Sequence, residues 1–141
     1  MNNLNRFKVK QELYHKIALS ELKNGMKESH WMWFIFPQIY GLGYSEMSLY
    51  YAIKDLKELE EYLSDDFLMN NYLELCNILL DLNTSNPKEV FGYIDAMKLN
   101  SSLTLFYVIS ENSTIKKVLD KYFDGKLDLN TLKLIGCDKY V

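Results

Sequence analysis

At 141 residues, 48% of them hydrophobic and 25% charged, the chain has the length and balance of one globular domain around one core. A net charge of -3 with a single arginine, Arg6, excludes a general binder of nucleic-acid polymers and a clustered-arginine phosphate site. Two histidines without a partner at ligand spacing, and only Cys76 and Cys137, make a metal site and a disulfide framework improbable.

The first residues, Met-Asn-Asn-Leu-Asn-Arg, lack a signal-peptide apolar core, and no apolar run approaches membrane-spanning length. A cytoplasmic location is therefore expected. From about Asn5 to Asn24 the spacing of Phe7, Tyr14, Ile17, Ala18 and Leu22 predicts a helix, with Gly25 as its stop. His15, among polar neighbours, reads as a surface residue. The run Trp31–Phe36 is helical or irregular, since no second run alternates cleanly enough to pair with it as a strand.

Leu49, Ala52, Ile53, Leu56, Leu59 and Leu63 predict one helix from Ser45 or Glu46, with Lys54/Glu58 and Lys57/Glu61 on its solvent side. Ser64-Asp65-Asp66 ends it and caps the next, about Phe67 to Leu82, in which Cys76 is a core residue. Cys137, near the C-terminus, is open to exposure.

Asn86-Pro87-Lys88-Glu89 is a helix start of the capping-box kind, interrupted at Gly92 and expected to end near Lys98. Ser101 or Ser102 then caps a short segment, Leu103–Ile109, whose helix or strand identity the periodicity leaves open. Thr114–Phe123 is helical, stopped by Gly125, and Asp128 with Thr131 caps a last short helix ended by Gly136. The fold class is all-α, a single domain over 1–141 with six to seven helices. Eleven tyrosines suit a core edge, with their hydroxyls in water.

Both tryptophans, one histidine, one proline and two glycines fall between His30 and Ser45, a concentration that suits a pocket wall. Gly41-x-Gly43-x-Ser45 leads into a helix, where free N–H groups favour a phosphate or carboxylate. Taken alone, that loop reads more simply as a connector with Ser45 as N-cap. His30 is equally a titrating group near neutral pH or a packed histidine. Between Asp95 and Thr104 lie a carboxylate, Lys98, an amide and the hydroxyls of Ser101, Ser102 and Thr104, enough to hold an anion or simply to cap a helix.

Tyr14, Ala18-Leu19, Glu21-Leu22, Gly25, Lys27 and the unbroken His30-Trp-Met-Trp-Phe-Ile-Phe-Pro-Gln38, followed by Gly41-Leu-Gly43 and Ser45, closely resemble the bacterial domain-of-unknown-function 1810 family. The resemblance continues through Tyr51-Ala-Ile53, Tyr62-Leu63, Phe91-Gly92, Asp95, Lys98-Leu99, Ser101-Ser102 and Thr104-Leu-Phe106. It ends at Asp124-Gly125, Asp128 and Thr131-Leu132. It implies a small, single-domain, mainly helical fold and supplies no activity. Where the family pattern has arginines, this chain has Met26, Glu28 and Asn100, which weakens an arginine-based anion site. The calpastatin label that members often carry describes a disordered repeat inhibitor, unlike this aromatic-rich chain.

Two readings follow. In the first, a pocket between segments 27–45 and 95–104 binds a small anionic molecule, nucleotide or ADP-ribose-like. Trp31 and Trp33, with Tyr40 or Tyr44, stack its ring, and Gln38 hydrogen-bonds it. Lys27, His30, Lys98, Ser45 and Ser101 hold the anion, with Gly41, Gly43, Ser102 and Thr104 around it. His30 or Asp95 serves as acid–base group if a bond is cut; the cofactor and any protein partner stay unidentified. In the second, the tryptophans are core and surface tyrosines bind a protein partner without catalysis.

Overall fold

Helix caps written into the sequence set most boundaries of the computed structural model, which describes residues 3–136. The elements are α1 (Asn5–Lys23), α2 (Met32–Ile35), α3 (Glu46–Tyr51), α4 (Leu56–Leu63), α5 (Asp66–Asp81), α6 (Pro87–Ser110), α7 (Ser113–Phe123) and α8 (Leu129–Ile135). Asp55, Asp65, Asn86, Asn112 and Asp128 each accept a backbone N–H of the first turn that follows, groups that would otherwise lack a partner. Gly136, at φ 69°, closes α8.

The fold is all-α, with eight helices among the described residues against the six or seven expected. α1 packs on α5, α5 on α7, and α7 on α6, around one apolar cluster to which α2 contributes Met32, Phe34 and Ile35. No helix among the described residues is long and apolar enough to cross a membrane. Cys76 is fully buried, as expected, and burial pushes its thiol up; Cys137 lies outside the described residues.

Several expectations need correction. The helix predicted through Leu63 is two helices, α3 and α4, because residues between them are claimed from elsewhere. Ile53 forms a parallel bridge with Ile39, and Arg6 donates to the carbonyls of Tyr50 (2.9 Å) and Ala52 (2.8 Å). Glu58 is therefore buried on Arg6, at 2.6 Å, rather than on a solvent face with Lys54. The segment 103–109 continues α6 to Ser110, so Ser101 and Ser102 cap nothing. Ser101 lies mid-helix, its hydroxyl bonded back to Met97 O.

The capping box at Asn86 is indirect, since Glu89 receives the Thr84 hydroxyl, which itself accepts from Asn86 N. His15 lies half-buried, with its Nε2 2.6 Å from Glu74 Oε1. Tyr62 and Tyr72 do not rim the core. They sit inside it, with hydroxyls bonded to Gln11 and Ser102.

Candidate functional site

The signature region is held by its proline, by α1 and by the chain between α3 and α4. α2 is one turn long because Pro37 restricts Phe36 to extended backbone (φ -122°, ψ 75°). Gln11 of α1 donates to Phe34 O at 2.9 Å, which satisfies one of the carbonyls that a short helix leaves open. Beyond the proline, Ile53 N donates to Gln38 O (2.8 Å) and Tyr40 N to Ile53 O (2.9 Å). With side chains alternating along this extended stretch, Ile39 enters the core and Gln38 faces the opposite way.

The opposite wall comes from α6. Gly92 (φ 77°, ψ 169°) occupies backbone space that only glycine enters easily, and it breaks the helix so that Tyr93 starts a new direction. The continuation places Ile94, Met97, Lys98 and Ser101 on one face, at the three- and four-residue spacing of helix neighbours.

Between this face and the Trp33–Ser48 segment lies an open cleft of about 570 Å³. Trp33, Gln38, Leu42, Gly43 and Ser48 line one side, and Tyr93, Ile94, Ala96, Met97, Lys98 and Ser101 the other, with Phe123, Asp128 and Asn130 at one end. Pro87, Lys88 and Asn100 complete the lining. Most of the exposed lining surface is apolar, interrupted by polar side chains, as is usual for a small-molecule site.

Lys98 is the cation set into the wall. Its Nζ lies 3.9 Å from the Trp33 ring centroid and 3.1 Å from Asp95 Oδ1. The other oxygen of Asp95 takes Lys27 Nζ at 2.9 Å, and Lys27, buried to 6% side-chain exposure, also donates to Ser29 O. Burial alone would raise the Asp95 pKa, but the two ammonium groups outweigh it and hold the carboxyl below its usual value. One carboxylate thus serves two cations, and Lys98 is incompletely neutralised.

Glu21, which carried no role in the sequence reading, organises the loop behind this pair. It accepts from Glu28 N (2.8 Å), Ser29 N (2.9 Å), the Ser29 hydroxyl and Trp31 Nε1 (2.9 Å). Burial works to raise its pKa, yet these donors prevail and lower it to about 2. A signal existed: a carboxylate in the last turn of α1 faces the negative end of the helix dipole and needs such a partner.

Of the residues expected at the site, Trp33, Gln38, Gly43, Lys98 and Ser101 line the cleft. Lys27 and Asp95 stand one contact behind it. The other expected residues lie elsewhere. Trp31 is fully buried against Phe36 and Phe91, so no ligand ring reaches it. His30 is exposed and outside the lining. Ser45 caps Ser48 N at 3.1 Å, and Gly41 (φ 111°) packs near Leu134.

Ser102 bonds Tyr72 in the core, and Thr104 Oγ1 accepts from Asp128 N. Tyr40 and Tyr44 are exposed away from the cleft. Gly43, in the lining, is packed against Ser48. A Cβ there would sit 2.5 Å from Ser48 Oγ.

Sequence reasoning missed Ser48, Tyr93, Met97 and Asp128. Their positions depend on the α3 turn, the Gly92 break and the packing of α8 on α6. The single Ser101 hydroxyl proton is shared between Met97 O and Asp128 Oδ2 (3.2 Å each), and Asp128 Oδ2 also accepts from Thr131 N (3.0 Å), which links α8 to the cleft wall. No group of three or more His, Cys, Asp or Glu among the described residues could hold a metal ion.

The fold has a counterpart of known structure. The conserved hypothetical protein Rv1873 from Mycobacterium tuberculosis, solved by crystallography, is similar with a TM-score of 0.92 and 36% sequence identity over 95% of this chain and 96% of that one. None of the curated proteins compared matches the chain. The family model described as protein of unknown function (DUF1810) matches residues 1–135, nearly the full length; the chain belongs to that family.

Proposed function

We propose that the cleft binds a small anionic molecule, with Lys98 meeting the charge and the apolar wall around Leu42, Tyr93 and Met97 covering the body. The observation that carries this reading is the placement of Lys98, half-sheltered in the lining and seated over Trp33, with a carboxylate that Lys27 already shares. A nucleotide or ADP-ribose-like molecule was the sequence-based expectation and stays within the class to be tested. No catalytic step is assigned. Asp95, with its pKa lowered by two lysines, is a weak base and acts here by positioning Lys98. A cytoplasmic setting is part of the same reading.

The test is a thermal-shift series with AMP, ADP-ribose, NAD, phosphorylated sugars and simple carboxylates. A ligand at one hundred times its dissociation constant adds about 2.7 kcal/mol of stability, a readily measured shift. Lys98→Met is expected to abolish any hit while leaving the unliganded melting temperature nearly unchanged. Hits indifferent to Lys98→Met, or none at all, refute the proposal.

One observation favours the other reading, a protein-interaction domain. Tyr93, Ile94 and Met97 are 63%, 68% and 58% exposed, a contiguous apolar rim on one helix. A partner that bound through it would lose affinity in Ile94→Asp and stay indifferent to Lys98→Met.

A further inference from the structure

Resting on the anion-binding reading above, we infer the ligand's class: a monocarboxylate with an apolar body, its oxygens shared between the Lys98 ammonium and the Gln38 side-chain amide.

Gln38 supplies the second donor. Its Nε2 is buried and has no hydrogen-bond partner among the described residues, although the side chain borders the cleft beside Trp33. A buried amide N–H left unpaired is costly, so an acceptor brought to it gains more than a surface contact would. A small polar niche of about 10 Å³, formed by Gln38, Ser48, Tyr51 and neighbours, opens next to the same side chain. It has room for about one small atom group and no more.

The charge count limits the anion. The ionised groups in the lining are Lys88, Lys98 and Asp128, a surplus of one positive charge. Behind them Lys27 and Asp95 carry one charge of each sign, so the surplus of one is unchanged. A single negative charge matches this site, whereas a phosphomonoester or diphosphate would bring excess charge toward Asp95 and Asp128.

The arginine and the loop N–H that could have held a phosphate in a fork or a helix-end cradle are engaged elsewhere. Arg6, the only arginine, is buried on Glu58. The Ser48 N–H that the glycine loop could have offered is taken by Ser45 Oγ. For a planar carboxylate one ammonium and one amide of the lining, Lys98 and Gln38, are enough. The apolar walls then select an aromatic or branched aliphatic body.

The experiment titrates 15N-labelled protein with 3-phenylpropionate, its neutral amide, phenyl phosphate, AMP and ADP-ribose, reading the Gln38 side-chain NH2 and the amides of residues 93–101. The inference expects 3-phenylpropionate to move these signals and to bind at least about tenfold more tightly than its amide, in line with a charge-assisted hydrogen bond. Lys98→Met and Gln38→Leu each weaken it by a similar factor. Gln38→Glu, which keeps the side-chain shape but repels an anion, weakens it at least as much, and its spectrum verifies that the fold is kept.

If phenyl phosphate or AMP binds the same residues as tightly as the carboxylate, the inference falls while the anion-binding cleft stands. If the amide binds as well as the acid, and Lys98→Met changes nothing, the inference and the Lys98 anchor both fall. If no probe moves the cleft signals at millimolar concentration, both are overturned.

Discussion

Replacing Glu21 by glutamine tests the claim that one carboxylate holds the signature loop together. The substitution keeps size and one acceptor but removes the charge and points an NH2 at donors that already need acceptors. A fall in pKa from 4.5 to about 2 corresponds to about 3 kcal/mol of preference for the ionised, folded form at neutral pH. Glu21 is not fully enclosed, so solvent screening cuts this figure to about 1–2 kcal/mol. The α1 dipole opposes a negative charge at this end by a further few tenths, which the substitution relieves.

The expected loss at pH 7 is therefore about 1 kcal/mol. Its pH dependence has a definite sign. The folded pKa lies below the unfolded one, so the contribution is complete above about pH 4.5 and is lost as the pH falls toward 2. Urea unfolding followed by tryptophan fluorescence reads this directly, since Trp31 Nε1 donates to the same carboxylate. Wild type and Glu21→Gln should differ at pH 7, and the gap should shrink steadily as the pH falls from 4.5 toward 2. Equal stability at pH 7, or a gap that stays constant with pH, refutes the reasoning.

Arg6→Met leaves Glu58 buried without its cation and frees the carbonyls of Tyr50 and Ala52, so denaturation should show a loss of about 3–5 kcal/mol, recovered in large part by adding Glu58→Leu. Arg6→Lys should not rescue, because one ammonium cannot serve the four acceptor groups that the guanidinium meets at the N-terminal end of α1. Gly43→Ala drives a methyl to within 2.5 Å of Ser48 Oγ and should cost about 1–3 kcal/mol in the same assay. Ser48→Ala in that background should restore part of the loss. Cys76, fully buried with its thiol pushed up, should react with a thiol reagent only at the rate of unfolding; mass spectrometry of labelled peptides would expose a faster reaction.

What the sequence disclosed follows from how local each feature is. Asp128 and Thr131 lie three apart and cap α8 by themselves, and Asn86-Pro87 starts α6 without help from another segment. The break between α3 and α4 has no such local sign. The apolar spacing runs straight across it, and the chain turns because Ile39 and Arg6, both distant in sequence, bind its backbone. Ser101–Phe106 gave no periodicity for a related reason: all six are buried, so no polar face marks the turn. The same logic divides the two tryptophans. Trp31, just before α2, points into the core, and Trp33, two residues on, points out over Lys98.

Burial also decides between the two lysines that share Asp95. Lys27 brings its charge into the protein, where its ammonium has the Asp95 carboxylate, the Ser29 carbonyl and the Trp31 ring, 4.9 Å away, as partners. An ion held so completely is fixed in place, and removing it would leave Asp95 short of a partner. Lys98 has the same carboxylate at a longer distance, the Trp33 ring, and a side chain 22% exposed to the cleft. Its ammonium has three hydrogens, and Asp95 with the ring face does not use all of them. The fold therefore assigns one lysine to tie the 26–31 loop to α6 and leaves the other, which shares Asp95 with it, at the cleft wall.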